Sequence, residues 1–173
     1  MVQTIYYSLE ARAKNSANRP SYSTKDVIYL ITPDRFANGN PANDKVAGMR
    51  DMSLNRGALY DRHGGDLRGI LDHLDYIKNM GFTAVWNMPE VENDQTLESY
   101  HGYGITDHYK IDKRFGGNEA YKSLSDAMHK NGLKLIQDAV YNHVGDFHWM
   151  QHDAPALDWI NQWNSYTGST HRE

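Results

Sequence analysis

The sequence lacks cysteine, a long hydrophobic run and an excess of basic charge. The 173 residues contain no cysteine, which excludes a disulfide scaffold and thiolate-bound zinc but leaves the cellular compartment open. No run approaches the roughly 18 apolar residues of a membrane span, and no signal-like apolar region follows residues 1–4. The net charge of −4 offers no basic surface. We therefore expect neither nucleic acid nor a membrane as a partner.

A serine or cysteine nucleophile on a strand-to-helix elbow is also missing, which argues against a hydrolytic triad. What the sequence does contain is many rings with polar tips: 12 tyrosines, 4 tryptophans and 9 histidines. Such rings suit sugars, which present a flat apolar face and a rim of hydroxyl groups, and they equally suit protein interfaces. The composition indicates a binding surface without deciding between the two.

Three short apolar segments predict strands that are buried on both faces, as in a parallel sheet. They lie at residues 27–31, 83–87 and 133–138; the first is a continuous apolar run, and the other two are short and mainly apolar. The connections that follow the first two strands are long, at residues 34–65 and 88–117. Long loops after parallel strands mark the functional face of a (β/α)8 barrel or of an open doubly wound sheet. Three strands cannot close a barrel, which takes roughly 250 residues.

Helices are predicted between these strands. The first carries Leu and Ile at three- and four-residue steps, with Asp66 as its cap and Gly81 just past its end. The second has Asn118 as its cap and Gly132 at its end. At the two ends of the sequence, residues 3–8 could form a short strand and residues 155–163 a short helix.

Asp138, Asn142 and His143 sit where the third strand passes into a loop. In parallel α/β folds ligands bind at that edge of the sheet. A carboxylate and an imidazole together can hold hydroxyl groups, bind a metal or move protons. The alternative is that Asp138 and Asn142 only hydrogen-bond the turn. In the preceding long loop, His101 and Tyr103 could likewise contact a ligand or pack under the loop.

Oxygen donors are dense in the first long loop. Asn and Asp side chains alternate there with glycine, and a glycine pair precedes Asp66. Calcium prefers six to eight oxygen ligands, whereas Asn and Asp in loops commonly satisfy their own turns. The spacing is not that of an EF-hand, and both alternatives stay open at this point. The helix start could also hold a phosphate, although Asp66 would compete for the same amides.

Five motifs occur in an order that closely resembles the α-amylase family, glycoside hydrolase family 13. They are Val-Ile-Tyr with Pro-Asp-Arg-Phe at 27–36, His-Gly-Gly-Asp at 63–66, Gly-Phe-Thr-Ala-Val-Trp at 81–86, His-Gly-Tyr with Asp-His-Tyr-Lys-Ile-Asp and Phe-Gly at 101–116, and Asp-Ala-Val-Tyr-Asn-His at 138–143. Within the family, the sequence looks most like the neopullulanase and cyclomaltodextrinase group. The resemblance begins at about residue 26.

The resemblance implies an α/β fold that is a partial (β/α)8 TIM barrel, with strands one to three and the start of an inserted domain B. Residues 1–25 would be a lead-in from an upstream domain. Residues 26–143 would form the first part of the catalytic barrel, and residues 144–173 would open domain B. Open barrel edges of this kind predict association with another chain.

The resemblance also implies roles for individual residues. His143 would hydrogen-bond the sugar beside the cleaved bond, Asp138 would brace it, Tyr103 would stack on it and His101 would lie beside it. A calcium site is implied as well, and its ligands would be Asn38, Asn40, Asn43, Asp44, Gly64 and Asp66. In some relatives Asn142 would hold a second calcium.

The implied activity is retaining cleavage of α-1,4-glucosidic bonds in starch, maltooligosaccharides, pullulan or cyclodextrins. The family's nucleophile, general acid and third carboxylate follow strands four, five and seven, and none of those motifs occurs in these 173 residues. Retaining glycosidases need two carboxylates about 5–5.5 Å apart, so we expect the chain itself to be inactive. Two alternatives stay open: a non-catalytic glucan-binding or interaction member of the family, and a transglycosylase relative.

Overall fold

The computed structural model describes residues 8–18, 21–156 and 158–159, so the predictions for residues 3–7, 157 and 160–163 lie outside the described residues. In chain order the elements are β1 (Ile28–Ile31), α1 (Pro33–Phe36), α2 (Leu67–Asp72), α3 (Leu74–Asn79), β2 (Ala84–Asn87), β3 (Val91–Glu92), β4 (Asp107–Ile111), α4 (Gly117–Lys130) and β5 (Lys134–Gln137). Short 3-10 turns occupy Ser16–Asn18, Pro41–Asn43, Ser99–His101, Lys113–Phe115 and Trp149–Gln151. Among the described helices, none is long and apolar enough to cross a membrane.

The main sheet is parallel, with β2 between β1 and β5. Its register places Leu30 opposite Trp86, and Trp86 opposite Ile136. The three predicted strands are therefore confirmed to within one residue at each end. The antiparallel pair of β3 and β4 was not predicted, and it lies inside the long connection at residues 88–117.

The first predicted helix is two helices. Asp66 caps α2 as expected, since its Oδ1 accepts a hydrogen bond from the Gly69 amide at 2.7 Å. The helix then breaks at His73, whose Nδ1 lies 2.7 Å from the Gly69 carbonyl oxygen and whose φ and ψ of −113° and 18° are not helical. Gly81 follows the end of α3 with a φ of 88°, a conformation that glycine adopts without strain.

Asn118 does not cap α4, so that prediction is wrong. The helix begins at Gly117, and the cap position belongs to Gly116, whose φ is 104°. The Asn118 side chain instead accepts a hydrogen bond from the Ile111 amide at 2.8 Å, which attaches the first turn of α4 to the end of β4. The end of this helix is as expected, with Gly132 at a φ of 73°.

The hydrophobic core lies between the main sheet and helices α2, α3 and α4. On the covered face of the sheet, Ile31 and Val85 are 2% and 0% exposed. On the other face Leu30 and Trp86 remain 54% and 40% exposed, so the prediction of burial on both faces is wrong for the described residues. That second face is the interior of a barrel, which three strands leave open. The division of the chain at residues 25 and 143 stays a prediction.

Candidate functional site

Asp138 directly follows β5 at the carboxyl end of the main sheet, on the open face. Its Oδ2 accepts two hydrogen bonds, from the Tyr103 hydroxyl at 3.0 Å and from Trp86 Nε1 at 3.2 Å. The tryptophan belongs to β2 and the tyrosine to the loop between β3 and β4. One carboxylate oxygen therefore joins three parts of the chain.

The other predicted sugar-binding residues gather around Tyr103. His143 Nε2 lies 3.0 Å from the Tyr103 carbonyl oxygen, so this nitrogen must carry the ring proton. The Tyr103 amide donates to His101 Nδ1 at 2.9 Å, and the two rings stack with their centroids 5.9 Å apart. The structure thus brings His101, Tyr103, Asp138 and His143 together, as the sequence predicts. His143 is exposed and open to a ligand.

The protonation states of this cluster suit hydrogen bonding to neutral hydroxyl groups. Burial and the hydrogen bond to the Asp138 carboxylate raise the pKa of Tyr103, so its hydroxyl stays a donor at neutral pH. Burial lowers the pKa of His101, against the opposing charge of Glu98. A neutral His101 keeps Nδ1 free of a proton, which the contact with the Tyr103 amide requires.

A buried acid lies beneath the cluster and was not predicted. Asn87 Nδ2 donates to Glu90 Oε1 at 2.7 Å, and both residues are 0% exposed. Asn87 Oδ1 and Glu90 Oε2 have no hydrogen-bond partner among the described residues. Burial raises the pKa of Glu90 to about 7, and the nearby Asp138 charge acts in the same direction. The only signal in the sequence was a Glu three residues after an Asn at a strand end.

Part of the predicted calcium set converges. Asn38 Nδ2 donates to Asp44 Oδ1 at 2.7 Å. Gly64 has a φ of 84°, and a Cβ there would lie 2.8 Å from that same Asp44 oxygen, so both features favour glycine. The side-chain oxygens of Asn38 and Asn43 are buried without a hydrogen-bond partner among the described residues. Such oxygens are expensive to bury unless a donor or a cation satisfies them.

Other members of the calcium set already have partners. Asp66 Oδ1 accepts from the Gly39 amide at 3.1 Å, and its Oδ2 accepts from the Asn40 amide at 2.9 Å. Asn40 Oδ1 accepts from an amide two residues on at 3.3 Å. Within the described ranges, no three His, Cys, Asp or Glu side chains cluster as a metal site. A cation here would depend on amide oxygens. Asn142, the candidate for a second calcium, is exposed and only approaches His143 at 3.5 Å.

The contacts at the start of α2 argue against the phosphate alternative. The Gly64 amide donates to Asp34 Oδ1 at 3.2 Å and the Gly65 amide to the Asp34 carbonyl at 2.9 Å. The Gly69 amide in the first turn of α2 is bound by Asp66. An anion would therefore meet the carboxylates of Asp34 and Asp66, which already bind amides at this helix start.

Two buried ion pairs support the loops around the site, and the sequence analysis missed both. Arg62 and Asp34 are 1% exposed each and approach to 3.6 Å. Arg114 donates to both oxygens of Asp112, from Nε at 2.9 Å and from Nη2 at 2.7 Å. Its Nη1 and Nη2 also donate to one backbone carbonyl in each of the two long loops. No periodicity in the sequence distinguishes these arginines from exposed ones.

The alpha-amylase catalytic domain matches residues 30–168 of this chain. The chain belongs to the alpha-amylase family. Neopullulanase 2 of Thermoactinomyces vulgaris is 38% identical over 128 residues, which cover 73% of this chain and 21% of that relative. Cyclomaltodextrinase of Geobacillus thermopakistaniensis is 38% identical over 126 residues, covering 73% of this chain and 21% of that relative. The chain thus spans about a fifth of the length of these curated relatives.

The similarity to a solved alpha-amylase family structure extends to the fold. Cyclic α-maltosyl-(1→6)-maltose hydrolase from Arthrobacter globiformis, in complex with cyclic α-maltosyl-(1→6)-maltose, matches with a TM-score of 0.65 and 33% identity. The match covers 79% of this chain and 30% of that one. The predicted family, its neopullulanase and cyclomaltodextrinase group and the partial TIM barrel are therefore confirmed.

Proposed function

We propose that this chain is part of a glycoside hydrolase that cleaves α-1,4-glucosidic bonds in α-glucans with retention, and that Asp138, Tyr103, His143 and His101 bind the sugar beside the cleaved bond. The observation that carries the proposal is the Asp138 carboxylate, which three elements hold at the open end of the sheet. Its Oδ2 is occupied by Tyr103 and Trp86. Its Oδ1 is the acceptor available to a sugar hydroxyl.

The relatives support the substrate class. Two of them are named neopullulanase and cyclomaltodextrinase, and the Arthrobacter globiformis structure holds a cyclic maltose derivative. Aromatic rings beside hydrogen-bonding groups suit such sugars. Tyr103 and His101 provide stacked rings, and Asp138 and His143 provide polar atoms next to them.

For the 173-residue chain we propose glucan binding without hydrolysis. The retaining mechanism needs two carboxylates about 5–5.5 Å apart, and the family motifs that would supply the nucleophile and the general acid are not in this sequence. Glu90 fills neither role, because it is 0% exposed and paired with Asn87.

Calorimetric titration of the chain with maltotriose and β-cyclodextrin tests the proposal. Asp138→Asn should weaken binding by about tenfold or more, since a hydrogen bond to a charged acceptor contributes about 1.5–3 kcal/mol. The matched control is Asp126→Asn, the same change on the exposed face of α4, where the carboxylate is 66% exposed. A reducing-sugar assay on starch, pullulan and maltooligosaccharides should show no hydrolysis.

Two results would contradict the proposal. A folded chain that binds neither sugar has no glucan site, and equal affinities for Asp138→Asn and Asp126→Asn would place the site elsewhere. Hydrolysis by the chain itself would overturn the inactive assignment while keeping the substrate class.

We also propose that the first long loop holds calcium through Asn38, Asn40, Asn43, Asp44, Gly64 and Asp66. The unsatisfied buried oxygens of Asn38 and Asn43 support this assignment, because an oxygen-binding cation would satisfy both. When bound, calcium would tie this loop to the helix cap at Asp66. Asn142 is proposed as a ligand of a second calcium.

A further inference from the structure

Two histidines form a hydrogen-bonded chain beside the proposed sugar-binding segment. His108 lies in β4, and its Nε2 is 3.2 Å from the Val140 carbonyl oxygen. Its Nδ1 is 3.2 Å from Nε2 of His148. His148 in turn caps a short 3-10 turn, where its Nδ1 accepts a hydrogen bond from the Met150 amide at 3.1 Å. The hydrogen-bonded histidine pair thus connects the Met150 backbone amide to the Val140 backbone carbonyl.

The partners determine which nitrogen carries each proton. His148 Nδ1 accepts from an amide, so in the neutral ring the proton is on Nε2. That proton can only be donated to His108 Nδ1, which must then be an acceptor. The His108 proton is therefore on Nε2, where it is donated to the Val140 carbonyl. All four ring nitrogens are satisfied in this single arrangement.

Protonation of either histidine ring would break this arrangement of hydrogen bonds. A proton on His108 Nδ1 would face the Nε2 proton of His148, and a proton on His148 Nδ1 would face the Met150 amide. Donor-to-donor contacts of this kind are unfavourable, and His148 is only 1% exposed, so water cannot replace the lost bonds.

Val140 lies between Asp138 and His143, and it is 8% exposed. We propose that His108 and His148 are positioning residues that, in their neutral forms, hold the Val140 carbonyl and with it residues 138–143 in the sugar-binding arrangement. The role assigned to that segment rests on the proposed function. The positioning itself rests on the hydrogen-bonded chain.

The charges around the pair determine the direction of the pH dependence. The titratable neighbours include Asp107, which pairs with Lys110 at 2.7 Å. Tyr109, Tyr141 and His143 line the same surface pocket as the two histidines. Burial and His108 lower the pKa of His148 below its usual 6.5, and Asp107 opposes them. Because the unfolded chain binds this proton more readily, the stabilisation is complete above about pH 6.5 and is lost as the pH falls through the lowered pKa.

Nitrogen-15 NMR of the histidine rings tests the arrangement without any sugar. We expect both rings in the Nε2–H form at pH 7.5, and we expect the amides of residues 140–143 to shift together when His148 is protonated. Observation of either ring in the Nδ1–H form would overturn the proposal. So would a titration that leaves those amides unchanged. Zinc binding to the two rings in place of the proton would overturn it as well.

Two variants separate positioning from packing. His108→Gln keeps a neutral acceptor and donor, so it should retain the amide positions at pH 7.5, while the acid-side loss remains because His148 still takes up its proton. His108→Leu removes both hydrogen bonds, so it should displace the amides of residues 140–143 and weaken maltotriose binding by about threefold to tenfold. The control is His129→Gln on the exposed end of α4. It should change neither readout.

The outcomes are distinguishable. Unchanged amides and affinity in His108→Leu would show that the pair only packs. If the wild-type chain binds no maltotriose, the proposed function fails, while the amide shifts still decide the positioning role. If His108→Leu does not fold, His108→Gln and the wild-type pH titration decide it.

Discussion

The Tyr103 hydroxyl donates a hydrogen bond to Asp138 Oδ2 over 3.0 Å, although 35 residues separate the two in sequence. The contact joins a loop to a strand end, and it aligns an aromatic ring with a carboxylate at one site. It also raises the pKa of the tyrosine, after burial as the larger cause. The two effects can be measured independently.

The first prediction concerns the ionisation of Tyr103. Asp138→Asn removes the negative charge that disfavours the phenolate, so the pKa of Tyr103 should move down toward its usual value of 10.0. Alkaline absorbance titration, with Tyr103→Phe subtracted, measures the shift. Tyr121 is an internal control, because burial and Glu90 raise its pKa to about 12 and Asp138 is not among the causes. An unshifted Tyr103 would contradict the contact.

The second prediction concerns Glu90 and pH. The folded pKa of about 7 lies above the ordinary 4.5, so the native state holds a proton that the unfolded chain releases. The contribution of Glu90 to the free energy of unfolding should be complete below pH 4.5. Between pH 4.5 and about 7 it should fall by up to about 1.4 kcal/mol per pH unit. Glu90→Gln should flatten that slope in urea unfolding at several pH values, whereas the exposed Glu119→Gln should not.

The third prediction concerns the buried pair of Arg114 and Asp112, whose side chains are 0% and 1% exposed. Arg114→Met leaves the Asp112 carboxylate buried and unpaired, so it should destabilise the fold by roughly 3–5 kcal/mol. Lys122→Ala breaks an exposed pair on α4 and should cost at most about 0.5 kcal/mol. Urea unfolding compares the two. Similar losses of stability in the two variants would show that the buried pair contributes no more than the exposed pair.

The fourth prediction concerns calcium. If the Asn38 and Asn43 oxygens bind the ion, calcium should raise the melting temperature and EDTA should reverse the effect. The stabilisation should reach about 2.7 kcal/mol when free calcium is 100-fold above its Kd. Asp44→Asn should abolish most of this gain, while Asp75→Asn on the surface of α3 should retain it. A melting temperature that stays the same when calcium is added would contradict the proposed calcium site.

The fifth prediction concerns the open face of the sheet. Leu30 is 54% exposed and Trp86 is 40% exposed on this face. Contiguous apolar surface and unpaired strand edges favour association, so sedimentation velocity should detect self-association that rises with concentration. Leu30→Lys should reduce it, and Leu97→Lys, at a loop position that is 75% exposed, should not. A monomer at all concentrations would contradict the expectation.

Local patterns predicted the elements that depend on neighbouring residues. The apolar runs located β1, β2 and β5 within one residue at each end, because side-chain burial alternates or persists over a few positions. The Asp66 cap was confirmed for the same reason, since its partner is the amide three residues on. The Asn118 cap was wrong, because a contact with β4 proved stronger than the local pattern.

The amino-acid sequence by itself determined the family and the order of the strands, and it predicted that His101, Tyr103, Asp138 and His143 bind sugar. Only the tertiary structure decided their partners: Trp86 meets Asp138 across 52 residues, and His108 meets His148 across 40. It also revealed the buried acid Glu90 and the positions of the protons on the His108 and His148 rings. The physical reason is the distance along the sequence over which each property is determined. Backbone geometry makes periodicity a local property, whereas hydrogen-bond partners and burial arise only when distant segments pack together.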